Sequence, residues 1–329
     1  MAKAKTTGAR KTSELRFGKT EKQFLETPFG HVVKQLELPM APKPRGPIGQ
    51  QVLVDYIDPP AYFFWLARER PELFRILAET SASCGGKFSL VIYNDGATCG
   101  NMMDVDAAKK LEVFTYSFEQ LGEERLCCVD WRFWLCAVRE TQVKTVDGGL
   151  STVFAALLKV LVGQRFTIQA ITFEFSVRHF VMDEMAEQAC WGFKGHAALK
   201  PCWECANVTS WQWQRAEFDE TRQLVHIGCS DHREFVTHTD AAIYGIVEHL
   251  RTAANRSKTQ LREAEKRYGF LWLPRGPLAD LQLRSHFSVT NALRRDPAHV
   301  LLLGIMPMEI YRLATKMEAI RNQIMKCCL

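Results

Sequence analysis

Apolar residues recur along this chain at two distinct periods, and the change of period marks out its elements. Between Pro59 and Ser83, Tyr62, Phe63, Leu66, Leu73, Phe74 and Leu77 fall near a 3.6-residue spacing broken at Pro71, which predicts a helical segment. Lys87 to Tyr93 (KFSLVIY) is short, apolar and rich in β-branched and aromatic residues, and predicts a strand ending at Asn94-Asp95-Gly96. Glu112 to Phe118 and Trp131 to Val138 predict two more strands. After Gly148-Gly149, Val153, Phe154, Leu157, Leu158 and Leu161 share one face of a helix reaching Val162. Arg165 to Met182 is strand-like again and stops at Asp183, and Ile243, Ile246, Val247 and Leu250 stripe one or two helices over Asp240 to Tyr268.

The resulting order, β-β-β-α-β, predicts an α/β fold with a mixed sheet. Three antiparallel strands, a crossover helix and a fourth strand returning parallel beside the first bring the ends of the first and fourth strands together. Asp95 and Asp183 stand at those two ends. Paired carboxylates there are the oxygen ligands that Mg²⁺ or Mn²⁺ prefers. Each also has a purely structural reading: Asn-Asp-Gly is turn chemistry, and Asp183 before Glu184, Met185 and Ala186 suits a helix N-cap.

Composition narrows the class. At 47% hydrophobic and 24% charged the 329 residues are ordinary globular protein, and no apolar run approaches the roughly 20 residues of a spanning helix, so no membrane partner is expected. The start, MAKAKTTGARKTSELRFGK, has no apolar signal region, which gives an intracellular expectation, nuclear or cytoplasmic. Residues 1 to about 22 carry seven Lys/Arg against Glu14 and Glu21, and residues 39 to 50 hold four prolines and two glycines; a basic tail and a linker are expected through residue 50.

The 11 cysteines are an odd number without a secretion signal, so reduced thiols, some on a metal, are expected rather than a disulfide scaffold. Cys202 and Cys205 form C-x-x-C after Pro201, and Cys229 and His232 form C-x-x-H, together a complete zinc set on paper. His226, His238, Cys190 and His196 are substitutes, and a redox pair or a chance spacing are the other readings. Ten Lys/Arg between Arg251 and Arg295, Arg251, Arg256, Lys258, Arg262, Lys266 and Arg267 among them, face three acids. That excess is where a polyanion such as DNA would bind, or it is a solvated helix face. Trp203, Trp211, Trp213 and Trp272 lie near these segments and suit base stacking or core packing. Further on, Asp296 suits an N-cap with Pro297 in the first helical turn, and Asp296 with His299 suits an acid–histidine pair at the edge of an active site.

Over about residues 88 to 305 the ordered set resembles the RNase H-like DDE transposases of cut-and-paste elements, nearest to the CACTA and Plavaka-like group. The residues that carry the resemblance are Asn94-Asp95-Gly96, Asp183 with Ala186, Lys194-Gly195-His196, Lys200-Pro201-Cys202 with Cys205, and Asp296-Pro297-Ala298-His299 with Gly304. The resemblance implies an RNase H-like core over 86–188 after a helical segment at 51–85. A zinc-knuckle-like insertion over 189–239 and a helical basic segment over 240–329 would follow. It further implies catalytic Asp95 and Asp183 with Mg²⁺ or Mn²⁺, a structural Zn²⁺, DNA as partner and self-association as the assembly to look for. The family's third acid, a Glu on a helix beyond the insertion, has no match. Glu309 and Glu318 come too soon after Asp296. The expectation is therefore a truncated or decayed copy whose nuclease and strand-transfer site is incomplete. The rival expectation is a non-catalytic nucleic-acid or protein interaction module that keeps the fold.

Overall fold

A computed structural model describes residues 26–42, 49–98, 110–210, 224–226 and 231–295. A small hairpin, β1 (Glu26–Thr27) and β2 (Gly30–His31), precedes β3 (Val33–Pro39), whose exposed and shielded positions alternate. β3 pairs antiparallel with β4 (Gln51–Ile57), from Val33 opposite Ile57 to Pro39 opposite Gln51. This corrects two expectations. Residues 33–39 are an edge strand rather than part of a tail and linker, and residue 51 opens a strand rather than a helical segment. The Pro-rich stretch hid both, although Val33, Leu36 and Leu38 already carried a strand's apolar content.

Helices α1 (Pro59–Glu69) and α2 (Pro71–Cys84) follow, each with proline in its first turn, where a missing N–H costs nothing. The buried Asp58 side chain caps α1 by accepting from Ala61 N, and Lys34 Nζ lies 2.9 Å from its carboxylate. Next come β5 (Lys87–Thr98), β6 (Lys110–Phe118), β7 (Phe133–Arg139), α3 (Gly149–Leu161), β8 (Arg165–Ile168) and β9 (Ile171–Met182). The expected single strand over 165–182 is instead a hairpin. Gln169 and Ala170, both at positive φ, turn β8 back onto β9. Two-residue hairpin turns of this hand normally use Asn-Gly or similar residues, so the sequence carried no turn signal here.

α4 (Glu184–Trp191), the short strands β10 (Val208–Thr209) and β11 (Val225–His226), α5 (Asp240–Arg256) and α6 (Lys258–Tyr268) complete the helical side, and Ser257 breaks α5 from α6. A last strand, β12 (Leu293–Arg295), corrects the expectation of an all-helical segment from residue 240.

The sheet runs β12-β9-β5-β6-β7-β4-β3, with β8 paired to β9. β5-β6-β7 are antiparallel neighbours, and β9 lies parallel to β5 on one side and to β12 on the other. The chain is thus α/β with a mixed sheet, and the fourth predicted strand does return parallel beside the first. Rings define the covered face. Phe63 of α1 lies 5.0 Å from Phe173 and 5.2 Å from Phe133, and Phe154 of α3 stacks on Phe114 at 5.8 Å and meets Trp191 of α4 at 5.3 Å. All are essentially fully buried. Each buried ring contributes on the order of 2–3 kcal/mol of transfer free energy. Among the described residues no helix is long and apolar enough to cross a membrane.

Candidate functional site

The site is built by the register of three parallel strands. The last registered pairs are Asn94 with Met182 and Met182 with Arg295. Asp183 follows at the end of β9, whereas Asp95 follows within β5, which runs on to Thr98 against β6; adjacent strands are normally about 4.8 Å apart. Asp296 follows Arg295 in sequence; it and His299 lie outside the described residues.

Asp95 is exposed. It pairs across β6 with Val113, whereas its neighbour Asn94 is buried and belongs to the helix-covered face. Asp183 is the N-cap of α4: one carboxylate oxygen accepts from Ala186 N at 2.6 Å. Its structural reading is therefore real, and the second oxygen has no hydrogen-bond partner among the described residues.

Two residues at this end went unnoticed in sequence. Glu112 of β6 stands opposite Gly96 of β5 and Val138 of β7. Burial raises its pKa above the usual carboxylate range, and the Glu140 and Asp183 carboxylates add to this against Lys110. Cys190 of α4 is fully buried, its Sγ 3.8 Å from Asn94 Oδ1. Burial pushes its thiol well up, with Glu112, Asp183 and Glu187 acting the same way. Cys190 therefore packs against the acidic end of the sheet beside Asn94. Glu112, Glu140 and Asp183 bring negative charge to this end of the sheet, and hard carboxylate donors of this kind suit Mg²⁺ or Mn²⁺ chemically.

The Cys-x-x-Cys loop is tied to this end by a chain of contacts. α4 and α6 finish in left-handed glycines, Gly192 and Gly269, and are laced together by Lys194 N to Gly269 O (2.9 Å) and Leu271 N to Gly192 O (2.7 Å). A Cβ on Gly269 would press well inside van der Waals contact with the Lys200 carbonyl, just before the loop. Trp203, between the two cysteines, is buried, stacks on Phe193 at 5.3 Å and donates to the buried Glu187 carboxylate at 3.2 Å. Packing, not base stacking, is its role.

Cys205 bridges to Thr237, and His238 N donates to Glu204 O at 2.7 Å, so the buried His238 stands beside the cysteine turn. Nothing in the spacing of the sequence singled it out from the other substitutes. His226 sits on β11, beside Thr209 of β10, and His196 is exposed. Cys229 and the His232 side chain lie outside the described residues. Among the described residues no three His, Cys, Asp or Glu side chains are grouped to hold a metal. Thiols at a C-x-x-C spacing are nonetheless zinc ligands in kind.

The basic residues divide. Arg251 is held by Glu248 at 2.7 Å. Arg256 and Arg267 line a cavity of about 300 Å³ between α5 and α6, together with His249, Thr252, Gln260 and Glu263. Lys258, Arg262 and Lys266 are exposed on α6. No protein-family model matches this chain, and no curated protein matches it.

Proposed function

We propose that this chain is a transposase-derived DNA-binding protein whose RNase H-like core carries a DDE-type nuclease and strand-transfer site, incomplete in its third acid. The observation that supports the reading is the register of β5 against β9, whose last pair, Asn94 with Met182, comes one residue before Asp95 and Asp183. The strand order β12-β9-β5-β6-β7, with its antiparallel trio and parallel flank, supports the RNase H-like assignment. Asp95 and Asp183 would hold Mg²⁺ or Mn²⁺, which when bound activates a nucleophile and stabilises the leaving oxygen in phosphoryl transfer. The chain's own part is to present Asp95 openly at the sheet end, to fix Asp183 through its cap, and to meet the phosphate backbone with the bases of α5 and α6. Cys202 and Cys205, with the Cys229–His232 pair, would hold a structural Zn²⁺.

The test is nicking of supercoiled DNA with Mg²⁺ or Mn²⁺. Activity is expected in the parent and lost in Asp95→Ala and in Asp183→Asn; metal-dependent nicking that survives both changes would overturn the reading. One zinc per chain by elemental analysis, lost in Cys202→Ser, checks the second metal. The engagement of Asp183 as an N-cap favours a second reading, a non-catalytic module that keeps the fold and binds nucleic acid. That module gives salt-sensitive DNA binding without any nicking.

A further inference from the structure

The sheet has a second face, and strand register arranges its side chains in rows. One row runs through Trp134 of β7, Thr115 of β6, Tyr93 of β5, Val181 of β9 and Arg294 of β12. Trp134 is 51% exposed, and Arg294 is exposed at the sheet edge. Arg132, exposed just before β7, lays its guanidinium 4.6 Å from the Tyr93 ring centre. Tyr93 lies two strand spacings from Trp134 and two from Arg294. The row therefore sets an open indole, a ring paired with a cation, and a second cation about 10 Å apart. Among the described residues neither Arg132 nor Arg294 has a carboxylate partner. Arg294 donates one N–H to the Leu293 carbonyl at 2.9 Å, and Glu119 is engaged by Arg178 at 3.6 Å and by His179 at 3.8 Å.

We infer that this row is a binding track for single-stranded DNA. Unpaired bases stack on Trp134 and on the Tyr93–Arg132 pair, and Arg294 meets the phosphate backbone. The two kinds of group select the ligand between them. Exposed guanidiniums without a carboxylate call for an anion, and open aromatic rings beside them call for flat π-surfaces, the combination that suits a single strand. A small anion would leave the rings unused, and a duplex keeps its bases stacked on one another. The choice of DNA rests on the function proposed above. Asp95 stands two residues beyond Tyr93 on the same side of β5, in the adjacent row with Val113 and Ala137. A strand held along the track therefore passes beside Asp95, whose carboxylate stays open to it. The cations of α5 and α6 meet phosphates alone and do not distinguish paired from unpaired strands.

The test is fluorescence anisotropy of the full chain with a labelled thymidine oligonucleotide of about 16 nucleotides, at low salt and without added Mg²⁺, so that binding is read without cleavage. Trp134→Ala is expected to weaken binding at least fivefold, and Trp134→Phe to keep most of the parent's affinity. Arg132→Gln with Arg294→Gln is expected to weaken it at least fivefold and to flatten its dependence on salt. A duplex of the same length is expected to respond less than twofold to any of these changes. All three positions are exposed, and an unchanged urea midpoint checks that each variant folds; should one midpoint shift, the other variant decides. Single-strand affinity untouched by these changes, an equal loss for the duplex, tighter binding of the matching uridine oligonucleotide, or no binding by the parent would overturn the track. Nicking of supercoiled DNA is scored separately. A parent that nicks while its single-strand affinity ignores Trp134→Ala loses the track and keeps the catalytic site. A chain that never nicks, but loses the single strand with Trp134→Ala, keeps the track and loses the catalytic site.

Discussion

The strand layer and the Cys-x-x-Cys insertion are held together by different physics. In the sheet, fixation is redundant. Phe63 alone meets Phe118, Phe133, Phe166, Phe173 and Phe175, so the position of any one strand is set by several rings at once. In the insertion, a few polar contacts each hold a separate span. The buried Asn207 side chain donates to Glu234 O at 2.8 Å and accepts from Val236 N at 2.8 Å, and these two bonds bring the 231–238 strand of chain to the cysteine turn. Dispersed apolar burial degrades gradually under substitution, while a buried polar clamp fails at once and locally. The proposed catalytic end draws on both regions. Asp95 lies within β5 and Asp183 just past β9, its neighbour in the sheet, and the loop is held by Gly269, Trp203 and Asn207.

Substitution should separate the two regimes, and the largest effect is expected in the sheet. Phe63→Ala removes the ring on which β6, β7, β8 and β9 converge, and a loss of about 3–5 kcal/mol is expected in urea denaturation, spread over the whole transition. Asn207→Ala leaves the Glu234 carbonyl and the Val236 amide without their partner and should cost about 1–3 kcal/mol. Hydrogen exchange should locate that loss in residues 200–238, with β5 and β9 keeping their protection. Equal loss of protection in the sheet would show that the two regions unfold as one.

Legibility followed the same division. Strands 87–93, 112–118 and 131–138 could be read because each is a compact apolar run, and their observed ends moved by only a few residues, β5 reaching Thr98 and β7 starting at Phe133. The parallel return of β9 beside β5 could be read because it follows from the order of elements and the crossover helix. β12 could not, since three residues, two of them arginine, carry no period; parallel pairing with β9 makes it a strand. Glu112 was hidden inside a correctly read strand, because a lone acid in a run reveals nothing until register sets it opposite Gly96. His238 was one histidine among several until the Cys205–Thr237 bridge brought its backbone to the loop.

A smaller effect of opposite sign is expected at the β8–β9 turn. Gln169 and Ala170 sit at φ 48° and 68°, which side-chain-bearing residues adopt at a cost. Replacing them together by Asn-Gly should raise stability by about 0.5–1 kcal/mol in urea denaturation, because those residues suit the left-handed turn already in place. A loss instead would show that the glutamine or alanine side chain contributes contacts that outweigh the strain.

The finest test lies at the acidic end of the sheet, where region and chemistry meet. Burial first, then Glu140 and Asp183, raise the Glu112 pKa above its unfolded value of 4.5. The folded chain therefore binds more protons at this group than the unfolded chain. With ∂ΔG/∂pH set by protons bound unfolded minus folded, the slope is negative. The contribution of Glu112 is fully present below pH 4.5 and is lost as pH rises through its raised folded pKa. Glu112→Gln should remove this slope, so that the difference in stability between variant and parent grows across that window in favour of the variant. If the acids do hold a divalent cation, adding Mg²⁺ should reduce the parent's slope and leave the variant's pH profile little changed, because a cation beside Asp183 offsets the repulsion that helps hold the Glu112 proton. A slope indifferent to Glu112→Gln would place the titrating group elsewhere in the acidic end.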